Sequence, residues 1–173
     1  MSNKSSKRTT LVIVRAGIIA GLYVVLSLIT LPIASGVIQF RISEALCMLA
    51  LIFPESIVAL FVGCAFSNLI TGCLPLDTIL GSLITLMAGA STFLCGKFIK
   101  NRVLKIFFGG IFPVTLNALL LPFVWLLYGV PQYIYPLQVL FLLISQSVSI
   151  YALGIPIYIA VDKLKNKGIS FFN

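Results

Sequence analysis

Ile106–Val161, IFFGGIFPVTLNALLLPFVWLLYGVPQYIYPLQVLFLLISQSVSIYALGIPIYIAV, runs for 56 residues without a charged side chain. A helix needs about 20 apolar residues to cross the hydrocarbon of a bilayer. The run must therefore hold two spans, with a turn between them at Tyr128-Gly129-Val130-Pro131, opening a loop that reaches Pro136. Outward from it lie further charge-free runs: Ala16–Phe40 of 25 residues, Ser56–Leu76 of 21 and Thr78–Gly96 of 19. The whole chain of 173 residues is 60% apolar and 9% charged, with a mean hydropathy of +1.16. A soluble domain carries about 25% charged residues. The chain reads as an all-α integral membrane protein.

Charge sets the expected topology. Of the 12 basic residues, 11 fall in three clusters: Lys4, Lys7, Arg8 and Arg15; Lys97, Lys100, Arg102 and Lys105; Lys163, Lys165 and Lys167. The net charge of +8 is thus the positive-inside signature of cytoplasmic loops, not a nucleic-acid surface. Glycine, proline and charge punctuation place six helices at approximately 11–31, 38–54, 55–71, 76–96, 106–127 and 137–161. They form one domain over 1–173 with both termini cytoplasmic. The first apolar segment is span-length without a clear small-residue cleavage site, so it is expected to be retained. The second is short, and crosses only if its first turn, carrying Arg41 and Glu44, lies within the outer part of the membrane.

That turn holds the one basic residue outside the clusters. Gln39-Phe40-Arg41-Ile42-Ser43-Glu44-Ala45-Leu46 sets an ionisable pair where lipid-soluble sequence begins, which points to a functional site. On the expected topology Gln39, Arg41, Glu44, Asn68, Asp77 and Gln138 gather in the outer half, with Phe40, Trp125 and Tyr128 at the same level. Gln146 sits deeper on the last helix, and Asn117 lies near the middle of the fifth. Apolar walls, aromatic faces and a few convergent polar groups describe a ligand pocket. Each residue also has a structural reading. Arg41 and Glu44 can pair along one helix face, and Asp77 can serve a helix N-terminus. Asn68 and Gln146 can join helices, and the aromatics can form an interfacial belt.

Ala16, Gly17, Ala20 and Gly21 form a double small-xxx-small pattern, which lets another helix approach closely; packing inside the bundle uses the same pattern. The four cysteines show no metal-ligand spacing and histidine is absent. No phosphate-binding GxxxxGK[ST] loop occurs. No catalytic residue, metal or cofactor is expected, and the energy for any active transport must come from a partner.

Gln39–Leu46, followed by Phe53-Pro54-Glu55-Ser56-Ile57 and Gly63-Cys64-Ala65-Phe66-Ser67-Asn68-Leu69, resembles the QueT family. These are substrate-binding S-components of energy-coupling factor (ECF) transporters, assigned to uptake of queuosine precursors. The resemblance implies a non-enzymatic subunit in a prokaryotic plasma membrane, partnered by a transmembrane coupling subunit and two ABC-type ATPases. It implies a 7-deazaguanine ligand such as preQ1, preQ0 or queuine, and docking on the coupling subunit through the Ala16-xxx-Ala20 pattern. The chemistry of such a ligand suits Glu44 as acceptor for the guanine-like N–H edge and Arg41 or Gln39 for the exocyclic carbonyl. Asp77 would take an aminomethyl group if one is present. Phe40, Trp125 or Tyr128 would stack on the ring, with Asn68, Gln138 and Gln146 as further contacts.

Overall fold

The computed structural model describes residues 2–34, 39–127, 129 and 133–172. Among them every regular element is a helix. α1 (Ser2–Ile29) leads into a short α2 (Leu31–Ala34), and a 3₁₀ helix follows over Ile42–Leu51. Then come α3 (Ser56–Ile70), α4 (Pro75–Phe98), α5 (Arg102–Leu127) and α6 (Tyr135–Ser147). A π-helical segment, Val148–Gly154, runs on into α7 (Ile155–Asn166), and a last 3₁₀ turn covers Ser170–Phe172. Among the described residues four helical stretches are long and apolar enough to cross a membrane: Ser6–Ile29, Pro75–Phe98, Arg102–Leu127 and Tyr135–Asn166.

The second expected helix, over 38–54, takes a different form. Residue 38 lies outside the described residues, and the helix is a 3₁₀ helix of 10 residues. At about 2.0 Å per residue it extends roughly 20 Å, further than the same residues would reach as an α-helix. Ser43 to Leu51 are all buried. α1 packs on α3, α3 on α4, α4 on α5 and α5 on α6, while the 3₁₀ helix packs against α1, α4, α5, α7 and the π segment. It is an inner strut, buried from Ser43 to Leu51. Its 3₁₀ hydrogen bonds are of poorer geometry than α-helical ones, and the surrounding helices enclose it.

Close approach to this strut depends on glycine. A Cβ on Gly154 would lie 2.9 Å from the Ala45 carbonyl oxygen and 2.7 Å from Met48 Cγ. One on Gly96 would lie 2.6 Å from the Leu51 carbonyl oxygen. Proline is accommodated by substitute donors. Pro113 inside α5 leaves the carbonyl of Gly109 without its helical N–H, and the Thr92 hydroxyl of α4 donates to that oxygen at 2.7 Å. The π segment ends two residues before Pro156, which likewise supplies no N–H.

The basic clusters share one end of the bundle. Arg15 forms an ion pair with Glu55 at 2.7 Å, both side chains under a tenth exposed. The Arg15 guanidinium also lies 4.7 Å from the Phe53 ring and donates to the Phe171 carbonyl at 3.3 Å. Lys165 lies 5.7 Å from the same ring, and Arg102 pairs with Asp162, about one helical turn before Lys165, at 3.3 Å. Arg15 is thus not a free surface charge of the N-terminal cluster; it pins α1 to the turn before α3 and to the C-terminal segment.

Candidate functional site

At the far end of α1 from Arg15, a cavity of about 290 Å³ opens between Ser27 and Leu31, Gln39 and Arg41, Ser67 with Asn68, Thr71 to Cys73, and Asp77 with Trp125. The walls come from α1 and α2, the extended entry to the 3₁₀ helix, the end of α3, and the facing ends of α4 and α5. Backbone geometry at two positions shapes the mouth. Gln39 has φ 44°, in the left-handed region where non-glycine residues are uncommon and often functional. Gly72 has φ 71° and closes α3. Its N–H reaches the Leu69 carbonyl at 3.3 Å, and the Cys73 N–H reaches the Asn68 carbonyl at 3.0 Å. This is a Schellman motif with glycine at the position that requires positive φ. It delivers Asn68 and Cys73 to the cavity together, and Pro75 then starts α4 with Asp77 in its first turn.

The polar groups of the cavity are fixed by one another. The Arg41 guanidinium donates to the Asn68 side-chain oxygen at 3.4 Å. The Asn68 amide nitrogen donates to the backbone carbonyl of Asp77 at 3.4 Å. The Trp125 indole N–H is shared by the two Asp77 carboxylate oxygens at 3.1 and 3.2 Å. An arginine, a carboxamide, a carboxylate and an indole thus converge from four separate segments, each already oriented. Such a site can offer a carbonyl acceptor two kinds of donor and can hold a cationic or N–H-rich group on Asp77.

Glu44 lies elsewhere. It is 2% exposed, is not part of the cavity wall, and its carboxylate is occupied by protein donors. The Tyr23 hydroxyl donates at 2.5 Å to one oxygen. The Asn117 amide donates at 3.2 Å and the Cys47 thiol at 3.6 Å to the other. Glu44 therefore ties α1, the 3₁₀ helix and α5 together at one buried point. Arg41 and Glu44 do not form an ion pair with each other. Next to this point the Ser27 and Ser43 hydroxyls bond at 2.8 Å, linking the Glu44 cluster to the cavity wall through Ser27.

Of the residues singled out in the sequence, Gln39, Arg41, Asn68, Asp77 and Trp125 line the cavity together. Phe40 is half-buried beside it without contributing to the wall. Gln138 and Gln146 are buried on α6 and do not line this cavity; the Gln146 side-chain oxygen has no hydrogen-bond partner among the described residues. Tyr128 lies outside the described residues. Ser27, Leu31, Ser67, Thr71, Gly72 and Cys73 complete the wall, and the sequence reading names none of them as a site residue. Tyr23 also escapes it; its spacing of four from Ser27 in an otherwise apolar helix is the available signal.

The small-residue pattern of α1 divides between two faces. Ala16 and Ala20 are half-buried against the core, and a Cβ on Gly63 of α3 would meet the Ala20 carbonyl oxygen at 3.0 Å. Gly17 and Gly21 are exposed, with nothing within 4 Å of where a Cβ would stand. Internal packing uses the alanines, and the glycines remain on the outer surface.

No curated protein and no solved structure matches the chain. Residues 13–163 match the family described as QueT transporter, a stretch that reaches every long helix of the bundle and takes in every residue of the cavity wall. With a transport role in place of catalysis, and with apolar helices suited to a bilayer, the chain belongs to the QueT transporter family.

Proposed function

We propose that this chain is the substrate-binding S-component of an ECF-type importer, and that it takes up a queuosine precursor with a 7-deazaguanine ring. The observation that carries the reading is the convergence of Arg41, Asn68, Asp77 and Trp125 on one cavity. Its 290 Å³ lies at the small end of ligand pockets, which begin near about 300 Å³ for drug-sized molecules. That volume suits a modified base better than a nucleoside. Arg41, Asn68 and Gln39 serve the ring carbonyl and N–H edge, Trp125 gives the aromatic surface, and Asp77 takes a donor. Glu44 acts through the scaffold, holding α1, α5 and the 3₁₀ helix around the floor.

In this reading the chain crosses a prokaryotic plasma membrane six times, with the 3₁₀ helix and α3 as the second and third crossings. The shared end of the basic clusters faces the cytoplasm, and the cavity opens outward. A coupling subunit and two ABC-type ATPases supply the energy. Saturable binding of a 7-deazaguanine by the purified protein tests the ligand assignment, and failure of every 7-deazapurine to bind would overturn it.

Docking on the coupling subunit uses the open Gly17/Gly21 face of α1, where an incoming helix can approach the backbone. Gly17→Leu with Gly21→Leu is expected to abolish co-purification with the coupling subunit while leaving ligand binding intact. Undiminished co-purification would place the docking face elsewhere. Leucine at Ala16 or Ala20 should instead destabilise the bundle, because those side chains already face the core.

A further inference from the structure

We infer that the groove between α4 and α5 at the basic end of the bundle holds one anionic phospholipid. Its phosphate lies on Lys97, Lys100 and Lys105, and an acyl chain lies against the two helices. The groove has a volume of about 490 Å³ and is lined by Leu94, Cys95 and Phe98 of α4 and by Phe108 and Phe112 of α5. Cys95 is buried at its floor, while Leu94, Phe98, Phe108 and Phe112 stand 40–72% exposed along its sides. It is remote from the outer cavity. Cys95 follows Asp77 by 18 residues on α4, roughly 27 Å along the helix axis.

Apolar walls alone would accept any lipid tail, so selection must come from charge. Lys105 stands on the same face of α5 as Phe108 and Phe112, which follow it by three and seven residues. The Lys97 ammonium lies 5.7 Å from the centre of the Phe98 ring, at the side of the groove. Lys100 directly follows Ile99, which also lines the groove. A lysine stem lies along apolar surface while its ammonium reaches the headgroup level.

The acidic residues of the protein are engaged elsewhere. The chain has four. Glu44 is held by Tyr23 and Asn117, Glu55 by Arg15 and Asp162 by Arg102, and Asp77 lines the outer cavity. Among the described residues no carboxylate lies within 4.0 Å of Lys97, Lys100 or Lys105. The first backbone N–H groups of α5 are not the anion's partners either. The Asn101 side-chain oxygen already accepts from Val103 and Leu104, at 2.9 and 3.3 Å. A basic opening over an apolar groove between helices fits a phosphate joined to an acyl chain. A soluble anion or a neutral lipid would use only half of it.

The competing account is unselective coating by whatever lipid is present, with the lysines marking only the side of the membrane. Native mass spectrometry separates the two. The full-length protein is stripped of lipid in neutral detergent, then titrated with phosphatidylglycerol or with phosphatidylcholine of the same acyl chains. The wild-type protein should retain phosphatidylglycerol at least about fivefold better, equivalent to about 1 kcal/mol. Lys97→Gln with Lys100→Gln and Lys105→Gln should remove that preference. Lys7→Gln with Lys163→Gln and Lys167→Gln removes as much charge from the same end and should keep it. Ser91→Trp, in the groove wall, leaves every charge in place. It should lower phosphatidylglycerol retention at least about threefold by filling the space of the acyl chain. Glycerol phosphate, a headgroup without chains, should not displace the lipid.

Equal retention of both lipids by the wild-type protein, or a preference that survives the first triple substitution, would overturn the inference. Equal loss in the two triple variants would also overturn it, by reducing the effect to net charge. Unchanged retention in Ser91→Trp, or displacement by glycerol phosphate, would overturn it by placing the anion outside the groove. None of these outcomes depends on which ligand the outer cavity binds.

Discussion

Glu44→Ala is expected to destabilise the bundle by about 3–5 kcal/mol, the range reached when a buried polar network is broken and a cavity is left behind. The Tyr23 hydroxyl and the Asn117 amide both lose their acceptor, and a buried unsatisfied donor costs about 1–3 kcal/mol. Three elements lose their common anchor at once. Glu44→Gln preserves the volume and one acceptor oxygen, so it should cost about 1–2 kcal/mol, on the scale of one unsatisfied donor. Ligand affinity of that variant should stay within about threefold, under about 0.7 kcal/mol. Unfolding in a denaturing detergent, measured beside ligand titration, checks both. A Glu44→Gln protein that is stable but has lost binding would return Glu44 to direct contact with the ligand.

Arg15→Ala carries the second large effect. It strands the Glu55 carboxylate, whose side chain is 7% exposed, and removes the guanidinium from the Phe53 ring and the Phe171 carbonyl. Breaking one partner of a buried pair costs about 3–5 kcal/mol, whereas removing both is far milder. Arg15→Ala with Glu55→Ala should therefore be more stable than Arg15→Ala alone. A double-mutant cycle in the same unfolding assay measures the coupling. Additive losses with no rescue would show that the pair contributes nothing as a pair and that Arg15 acts through packing on Phe53.

Much of the cavity was legible in the sequence, and the reason is physical. In a chain this apolar, Arg41, Asn68, Asp77 and Trp125 are costly to place and must find partners, so their segments converge. The role of Glu44 was not legible. Its spacing of three from Arg41 suggests one helix face and a shared ligand edge, but Arg41 stands in the extended entry before the 3₁₀ helix and not on the helix itself. The acceptor demand of Glu44 is met by Tyr23 and Asn117, 21 and 73 residues away in sequence. No local pattern announces such a meeting.

The strut itself is hidden for a similar reason. A span of about 17 residues reads as a marginal crossing when hydrocarbon alone is the solvent, whereas an element enclosed on all sides answers to packing instead. Gly96 and Gly154, which admit it, lie in other helices. Arg15 reads as one more charge of a basic cluster because clustering predicts the side of the membrane and says nothing of a carboxylate as distant in sequence as Glu55. The small-residue pattern of α1 is visible, but which of its two faces stays open depends on where α3 lies.

The central claim is that the ligand sits among Arg41, Asn68, Asp77 and Trp125. Cys73 tests this most directly, since it lines the cavity and is half-buried, while Cys47 and Cys64 are enclosed. The measurement is the rate of Cys73 alkylation by a membrane-impermeant maleimide, with and without saturating 7-deazaguanine, against a Cys73→Ser background. Ligand should slow labelling of Cys73 by about tenfold or more, as expected when occupancy removes most of the reactive open state. Labelling at an unchanged rate under saturating ligand would contradict the account, because a bound base would then lie outside this cavity.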